Sequence, residues 1–152
     1  MLGMALVYEH GNKDVPRDYE AAAYWYRRVC EGTSSVEALL GLARIHYFGL
    51  GVPRDFSKAF YYYSRLDGNA IALFRLGKLY DLGQGLPADP TKALSYYTRS
   101  AQGGNLAARR RLGITLIRQG KYLAGLYHAW FALATRAVLK TFRPNSKRLR
   151  NS

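Results

Sequence analysis

Apolar residues recur every four positions along several segments of the chain, which is the spacing of an amphipathic helix. In the clearest segment, Ala72, Leu76 and Tyr80 form one apolar stripe. Gly77 lies beside this stripe, where the missing side chain permits another helix to approach closely. A Gly-x-Gly pair follows, and glycine tolerates the left-handed conformation that ends many helices. The pattern therefore predicts a helix that ends near Gly83.

A second helix is predicted after each Gly-x-Gly loop. In the third unit, Asp89 is placed to cap this helix, and Pro90 suits its first position. Ala93 and Tyr97 lie four residues apart, so a small residue and a large ring share one face. One unit therefore consists of two helices. The equivalent loop prolines and capping aspartates are Pro16 and Asp18, Pro53 and Asp55, and Pro87 and Asp89.

The same pattern recurs along the chain. Positions equivalent to Gly77 fall at residues 5, 43, 77 and 113, so the spacings are 38, 34 and 36 residues. Self-similarity at such a period is typical of helical repeat proteins. We predict an all-α solenoid of about four helix-pair repeats in one domain, 1–141, with units at about 1–34, 35–69, 70–105 and 106–141. Residues 142–152 are predicted to be a basic, disordered tail.

The fourth unit departs from the pattern. Leu116 stands at the tyrosine position, Gln119 replaces the first loop glycine, and no capping aspartate is present. The second helix of this unit, at about 121–141, is longer and more apolar than its equivalents. We interpret the unit as a modified cap, because a terminal repeat must differ from internal repeats.

The repeated residues resemble the Sel-1-like repeat, a relative of the tetratricopeptide repeat. Its consensus runs A-x-x-x-L-G-x-x-Y-x-x-G-x-G-V-x-x-D-x-x-K-A-x-x-W-Y, and three units over about residues 1–105 match it. The resemblance implies a right-handed α-α superhelix whose first helices line a concave groove. It also implies an adaptor or scaffold that binds other proteins.

Helical geometry then selects candidates for the groove. In the first helix of each unit, one face lies opposite the apolar stripe. Counted from the residue equivalent to Gly77, this face holds the residue three positions before it and the residues one and four positions after it. Rings, aliphatic side chains and single charges on one surface suit a protein or peptide partner. The candidates for partner contact are Leu40, Arg44, Tyr47, Phe74, Lys78, Asp81, Arg110, Ile114 and Ile117.

Charge is divided unevenly between the two parts of the chain. Residues 1–89 hold ten basic and all ten acidic side chains, whereas residues 90–152 hold thirteen basic and no acidic ones, which accounts for the whole net charge of +13. Such asymmetry favours an anionic partner at one end, although a solvated end with a disordered tail would show the same composition. The candidates for anionic contact are Arg109, Arg111, Arg136, Lys140, Arg143, Lys147, Arg148 and Arg150.

No constellation of residues indicates catalysis. The Gly-x-Gly pairs follow helices and recur in the repeat, so they are helix ends rather than phosphate cradles. His10, His46 and His128 stand in different repeats without metal-ligand spacing, and Cys30 is the single cysteine, suited to packing. The aspartates are needed as caps. We therefore expect no enzyme activity, no cofactor, no metal and no small-molecule substrate.

Two functions remain open. The first is a non-catalytic scaffold or adaptor that binds a protein or peptide in the concave groove. The alternative is electrostatic binding of a membrane surface, an acidic polysaccharide or a nucleic acid through the basic C-terminal half. No signal peptide or transmembrane helix is visible in the sequence, which favours a cytoplasmic location. A periplasmic one stays open if the chain is a fragment of a longer array.

Overall fold

The chain folds into consecutive helices that form a solenoid, and the all-α prediction is confirmed. The computed structural model describes residues 1–141 and, within them, the side chains of residues 1–135. Each helix packs mainly on the helices before and after it in the chain. This part contains no β-strand. The helices are α1 (Leu2–His10), α2 (Tyr19–Gly32), α3 (Val36–Phe48), α4 (Phe56–Ser64), α5 (Ala70–Leu82), α6 (Pro90–Gln102), α7 (Leu106–Arg118) and α8 (Tyr122–Thr141).

Aspartate side chains cap α2, α4 and α6. Asp18 accepts hydrogen bonds from the N–H groups of the second and third residues of α2, each at 3.0 Å. Asp55 and Asp89 accept from the N–H groups of Lys58 and Lys92 at 2.9 Å. These backbone hydrogen bonds favour the charged carboxylate and lower the pKa of Asp55 and of Asp89. The predicted caps are therefore present in all three regular units.

Glycines end the first helices of the second and third units. Gly49 and Gly83 adopt the left-handed conformation, with φ of 69° and 63°. Each donates its N–H to a carbonyl of the last helical turn, as expected for this kind of helix end. The first helices of the later units also begin with a side-chain cap that the repeat pattern did not reveal, supplied by Ser35, Asn69 and Asn105.

The core is built from alanines that face tyrosine rings. In the third unit, a Cβ placed on Gly77 would lie 2.7 Å from ring carbons of Tyr97, and Ala93 lies one turn before that ring. Tyr97 is fully buried. The glycine therefore makes room for the ring, and the ring fills the gap between α5 and α6.

The fourth unit is packed differently. A Cβ on Gly113 would lie 2.7 Å from the carbonyl oxygen of Gly125 and 2.9 Å from the nitrogen of Ala129. The contact between α7 and α8 therefore joins backbone to backbone. A closed cap would carry a polar outer face, but α8 exposes large apolar side chains there, including Leu123 and Trp130. None of the described helices has the length and apolar character that spanning a membrane requires.

Candidate functional site

The first and second units are joined by a buried carboxylate. Glu9, four residues after the Gly77-equivalent position of α1, is 5% exposed. The hydroxyl of Tyr26 donates to it at 2.5 Å, and the guanidinium of Arg44 pairs with its other oxygen. Arg44 is one of the groove candidates, and its side chain remains 46% exposed. It is thus held in place by the preceding unit while it still faces solvent.

The third and fourth units repeat this arrangement. Asp81, at the same position of α5, accepts a hydrogen bond from the hydroxyl of Tyr97 at 3.0 Å and pairs with Nε of Arg111 at 3.2 Å. Burial, together with the Asp81 carboxylate, raises the pKa of Tyr97 to about 12 although Arg111 opposes the shift. Asp81 was predicted to face the groove and Arg111 an anionic partner. In the structure, the two side chains instead bind each other across the junction.

The junction between the second and third units uses an aromatic ring in place of the carboxylate. Tyr47 stands at the position of Glu9 and Asp81 but is 6% exposed and belongs to the core. The guanidinium of Arg75 lies 5.1 Å from the centre of this ring, and the ammonium of Lys78 lies 5.8 Å from it. The expectation that Tyr47 lines an open groove is therefore corrected, because its ring is buried between the units.

The exposed face of the first helices is rotated relative to the prediction. The residue five after the Gly77 position is exposed in both α3 and α5, namely Phe48 and Leu82. The residue one after it is exposed in α3, where it is Arg44, and half-buried in α5, where it is Lys78. The exposed face is thereby turned by about 40° at about 100° per residue. Phe48 and Leu82 are 48% and 49% exposed. The rotation arises because the residue four after that position contacts the neighbouring unit in each case described above.

Phe48 and Leu82 were missed by the sequence analysis. Each is an apolar residue at the last helical position before the glycine cap, four residues after a cation. That recurrence in two successive units was a signal that could have identified them. Of the other groove candidates, Arg110 is exposed, and the remaining four are half-buried: Leu40, Phe74, Ile114 and Ile117.

A cavity opens beside Arg44, at the junction of the first two units. It has a volume of about 490 Å³ and is lined on one side by Arg44 and Phe48 and on the other by Arg17 and Tyr19. Two cations and two rings around one hollow can receive a side chain that carries both apolar and acidic or carbonyl groups.

The basic candidates are not gathered into one cluster in the described part of the chain. Arg109 lies with its guanidinium 4.0 Å from the ring centre of Phe131, and Arg111 is engaged by Asp81. The other candidates, namely the side chains of Arg136 and Lys140 and the residues Arg143, Lys147, Arg148 and Arg150, lie outside the described residues, as does the whole segment 142–152.

Residues with potential for chemistry are dispersed. Among the described residues, no group of three His, Cys, Asp or Glu side chains could hold a metal ion. Burial raises the pKa of the Cys30 thiol and lowers the pKa of the His46 imidazole, so at neutral pH both side chains favour their uncharged forms. The thiol is thereby made less nucleophilic.

Comparison with known families agrees with this geometry. The family model of the Sel1 repeat matches residues 1–34, 36–66 and 70–105, which is more than half of the chain. The chain belongs to the Sel1 repeat family. Sel1 repeat proteins generally act as scaffolds for protein–protein interactions, and their fold is typically non-catalytic. The resemblance seen in the sequence is thus confirmed.

The chain is similar to solved structures with the Sel1 repeat fold. A protective antigen of uropathogenic Escherichia coli that displays this fold is 27% identical, with a TM-score of 0.78 over 89% of this chain and 30% of the antigen. A Sel1 repeat protein from Oxalobacter formigenes is 32% identical, with a TM-score of 0.71 over 90% of this chain and 57% of that protein. The chain thus spans less than two thirds of either relative. No curated protein sequence matches it.

Proposed function

We propose that this chain is a non-catalytic scaffold that binds a partner protein along its first helices. The observation that carries the proposal is the repeated pair of a cation and an exposed apolar residue four positions later. Arg44 and Phe48 form the pair in α3, and Lys78 and Leu82 form it in α5. The two pairs stand at equivalent positions of successive units. They suit an extended segment of the partner whose acidic and apolar side chains recur at the spacing of the units.

Contacts between units hold the two cations of this surface. Arg44 is bound to the buried carboxylate of Glu9, and Lys78 lies over the ring of Tyr47. Restrained side chains lose less conformational entropy when a partner binds, which favours affinity. The half-buried candidates Leu40 and Phe74 would form the floor of the surface rather than its contacts. In the fourth unit, Ile114 stands at the position of Arg44 and Lys78 and is half-buried.

Charge reversal on this surface tests the proposal. A partner is first captured with the intact chain, identified by mass spectrometry, and its affinity is measured by calorimetry. Arg44→Glu with Lys78→Glu should weaken binding at least about tenfold, and so should Phe48→Ser with Leu82→Ser. Lys58→Glu with Lys92→Glu is the matched control, because these exposed lysines lie on second helices. If the groove variants bind normally while deletion of residues 142–152 abolishes binding, the proposal is wrong.

A second candidate function is binding of a polyanion or an anionic membrane surface through the basic C-terminal half. The charge division favours it, since residues 90–152 carry thirteen basic side chains and no acid. Retention on heparin should fall steeply between low and moderate ionic strength. Retention that survives high salt would contradict this second function.

A further inference from the structure

The last helix of the structure carries a large apolar surface. Its exposed side chains cover about three turns of α8, and the segment 122–135 contains no Asp, Glu, Lys or Arg. An exposed apolar patch of this size on a folded protein marks a binding site. The members, which we call the α8 face, are between 57% and 87% exposed: Tyr122, Leu123, Leu126, Tyr127, Trp130 and Leu133.

Part of the α8 face occupies the positions through which earlier second helices pack on the next unit. The contact of Gly113 with the Gly125 carbonyl matches that of Gly77 with the Ala93 carbonyl. Leu126 follows Gly125 in the sequence. It therefore occupies the same position in α8 as Phe60 in α4 and Leu94 in α6. Phe60 contacts a ring of α5, and Leu94 packs with residues of α7.

Two further members have equivalents at the junctions. Tyr122 corresponds to Phe56, which packs closely against Gly85 in the loop of the following unit. A Cβ added to Gly85 would lie 2.7 Å from the Cβ of Phe56. Leu133 corresponds to Ala101, which is 4% exposed and packs with Ala108 at the start of α7. Tyr122, Leu126 and Leu133 thus continue the repeat-to-repeat interface, with no helix upon them in the described structure. Leu123 and Tyr127 instead stand at the positions of Thr91 and Ser95, which are exposed on α6.

Basic side chains flank this surface. Arg110 lines a hollow that also contains Ala132 and Leu133, and exposed Arg118 and Lys121 stand at the N-terminal end of α8. None of these three cations belongs to an ion pair within the described part of the chain. A second copy would bring the same positive charges face to face, because no acidic residue follows Asp89. An acidic partner, in contrast, would be attracted.

We propose that the α8 face binds an acidic amphipathic helix of a partner protein, which lies where the first helix of a further unit would pack. The apolar side of that helix covers Leu126, Trp130 and Leu133, and its acidic flanks face Arg110 and Lys121. This site is separate from the surface of Arg44 and Lys78 and does not depend on it.

A peptide from this chain provides the probe. Residues 69–83 include α5, a first helix that natively packs on a second helix. The labelled peptide with Arg75→Glu and Lys78→Glu is acidic, and the unaltered peptide is its matched control. Fluorescence anisotropy with the full chain should show binding of the acidic peptide at least about tenfold tighter than of the control.

Substitutions locate the binding site. Leu126→Ser with Leu133→Ser should weaken binding of the acidic peptide at least about tenfold, and these exposed positions do not support the core. Tyr61→Ser is the control, since Tyr61 is a similarly exposed ring on α4. In a Trp25→Phe variant, Trp130 is the sole tryptophan, and its emission should shift to shorter wavelength when the peptide binds.

Four outcomes would overturn the proposal. Equal affinity for both peptides, or affinity unchanged by Leu126→Ser with Leu133→Ser, would remove its basis. A Trp130 shift with vesicles of equal phosphatidylcholine and phosphatidylglycerol, but not with peptide, would show a lipid-binding face. A shift that depends on protein concentration alone would show that a second copy covers the helix.

Discussion

The third and fourth units of the solenoid join their two helices in different ways. In the third, Gly77 of α5 receives the ring of Tyr97 from α6. In the fourth, Gly113 of α7 packs directly against the backbone of Gly125 in α8. Ala129 occupies the position in α8 that is equivalent to Tyr97 in α6. The missing ring has a further effect, because the hydroxyl of Tyr97 reaches Asp81 beside Arg111 of the next unit. The fourth unit therefore lacks the side chain that links one unit to another.

The comparison teaches that one tyrosine position serves two purposes. The ring of Tyr97 fills the gap between α5 and α6 of its own unit, and its hydroxyl reaches the junction to the next unit. The ring of Tyr26 instead lies against Gly41 of the next unit. Tyr26 and Tyr97 meet a carboxylate there, whereas Tyr63 lies 6.3 Å, centre to centre, from the ring of Tyr47. Where the tyrosine is absent, as at Ala129, α8 is left with an apolar outer face instead of a regular junction.

The largest expected effect breaks the backbone contact of the fourth unit. Gly113→Ala would place a methyl group against the Gly125 carbonyl and the Ala129 nitrogen, which cannot move aside as a side chain can. We expect the free energy of unfolding to fall by about 2 to 3 kcal/mol, as measured by urea denaturation. Gly3→Ala is the control, because a Cβ there meets nothing within 4 Å. Unaltered stability of Gly113→Ala would contradict the close packing of α7 and α8.

The next effect compares two tyrosine junctions. Tyr97→Phe removes the hydrogen bond to Asp81, whereas the hydroxyl of Tyr63 makes no side-chain hydrogen bond among the described residues. Tyr97→Phe should therefore lower the free energy of unfolding by about 1 kcal/mol more than Tyr63→Phe does. Thermal denaturation of the two variants under the same conditions measures the difference. Equal losses would show that the carboxylate junction adds nothing to the packing of the ring.

An effect of similar size but opposite sign should make the fourth unit more like the third. The carbonyl of Lys121 accepts the first hydrogen bond of α8, from Gly125 at 3.0 Å, as those of the capping aspartates do in α2, α4 and α6. Lys121→Asp should thus supply the missing cap and stabilise the fold by about 1 kcal/mol. Lys121→Ala separates the gain of a cap from the loss of a positive charge. If both variants have the same stability, Lys121 is not a capping position.

The smallest effect concerns pH. Burial lowers the pKa of His46, and the nearby cations Lys58 and Arg27 act in the same direction, against Asp55. Below the usual value of 6.5, the unfolded chain then binds more protons than the folded chain, so stability falls as pH drops. Stability measured from pH 7 to about pH 5 should decline less steeply in His46→Gln. An unchanged slope would show that His46 stays protonatable in the folded protein.

The repeat and its local ends follow from the sequence alone. Ala72, Leu76 and Gly77 recur at the helical period, and the aspartates and glycines mark where helices begin and end. These signals are local, since a cap or a left-handed glycine depends on residues within one turn. The sequence predicts the direction of the exposed face less well, because the side opposite one apolar stripe ignores the contacts with neighbouring units.

Only the tertiary structure decided which polar and apolar residues stay open. Asp81 and Arg111 appear in the sequence as free charges thirty residues apart, yet they bind each other because adjacent units bring them together. Contacts with the neighbouring unit likewise bury Tyr47, whereas Phe48 beside it stays exposed. A periodic pattern shows that a face is apolar, but contacts with a neighbouring unit determine which part of it is covered. At α8, the sequence predicts an apolar helix, and the packing of α7 against one side of it leaves the other side exposed.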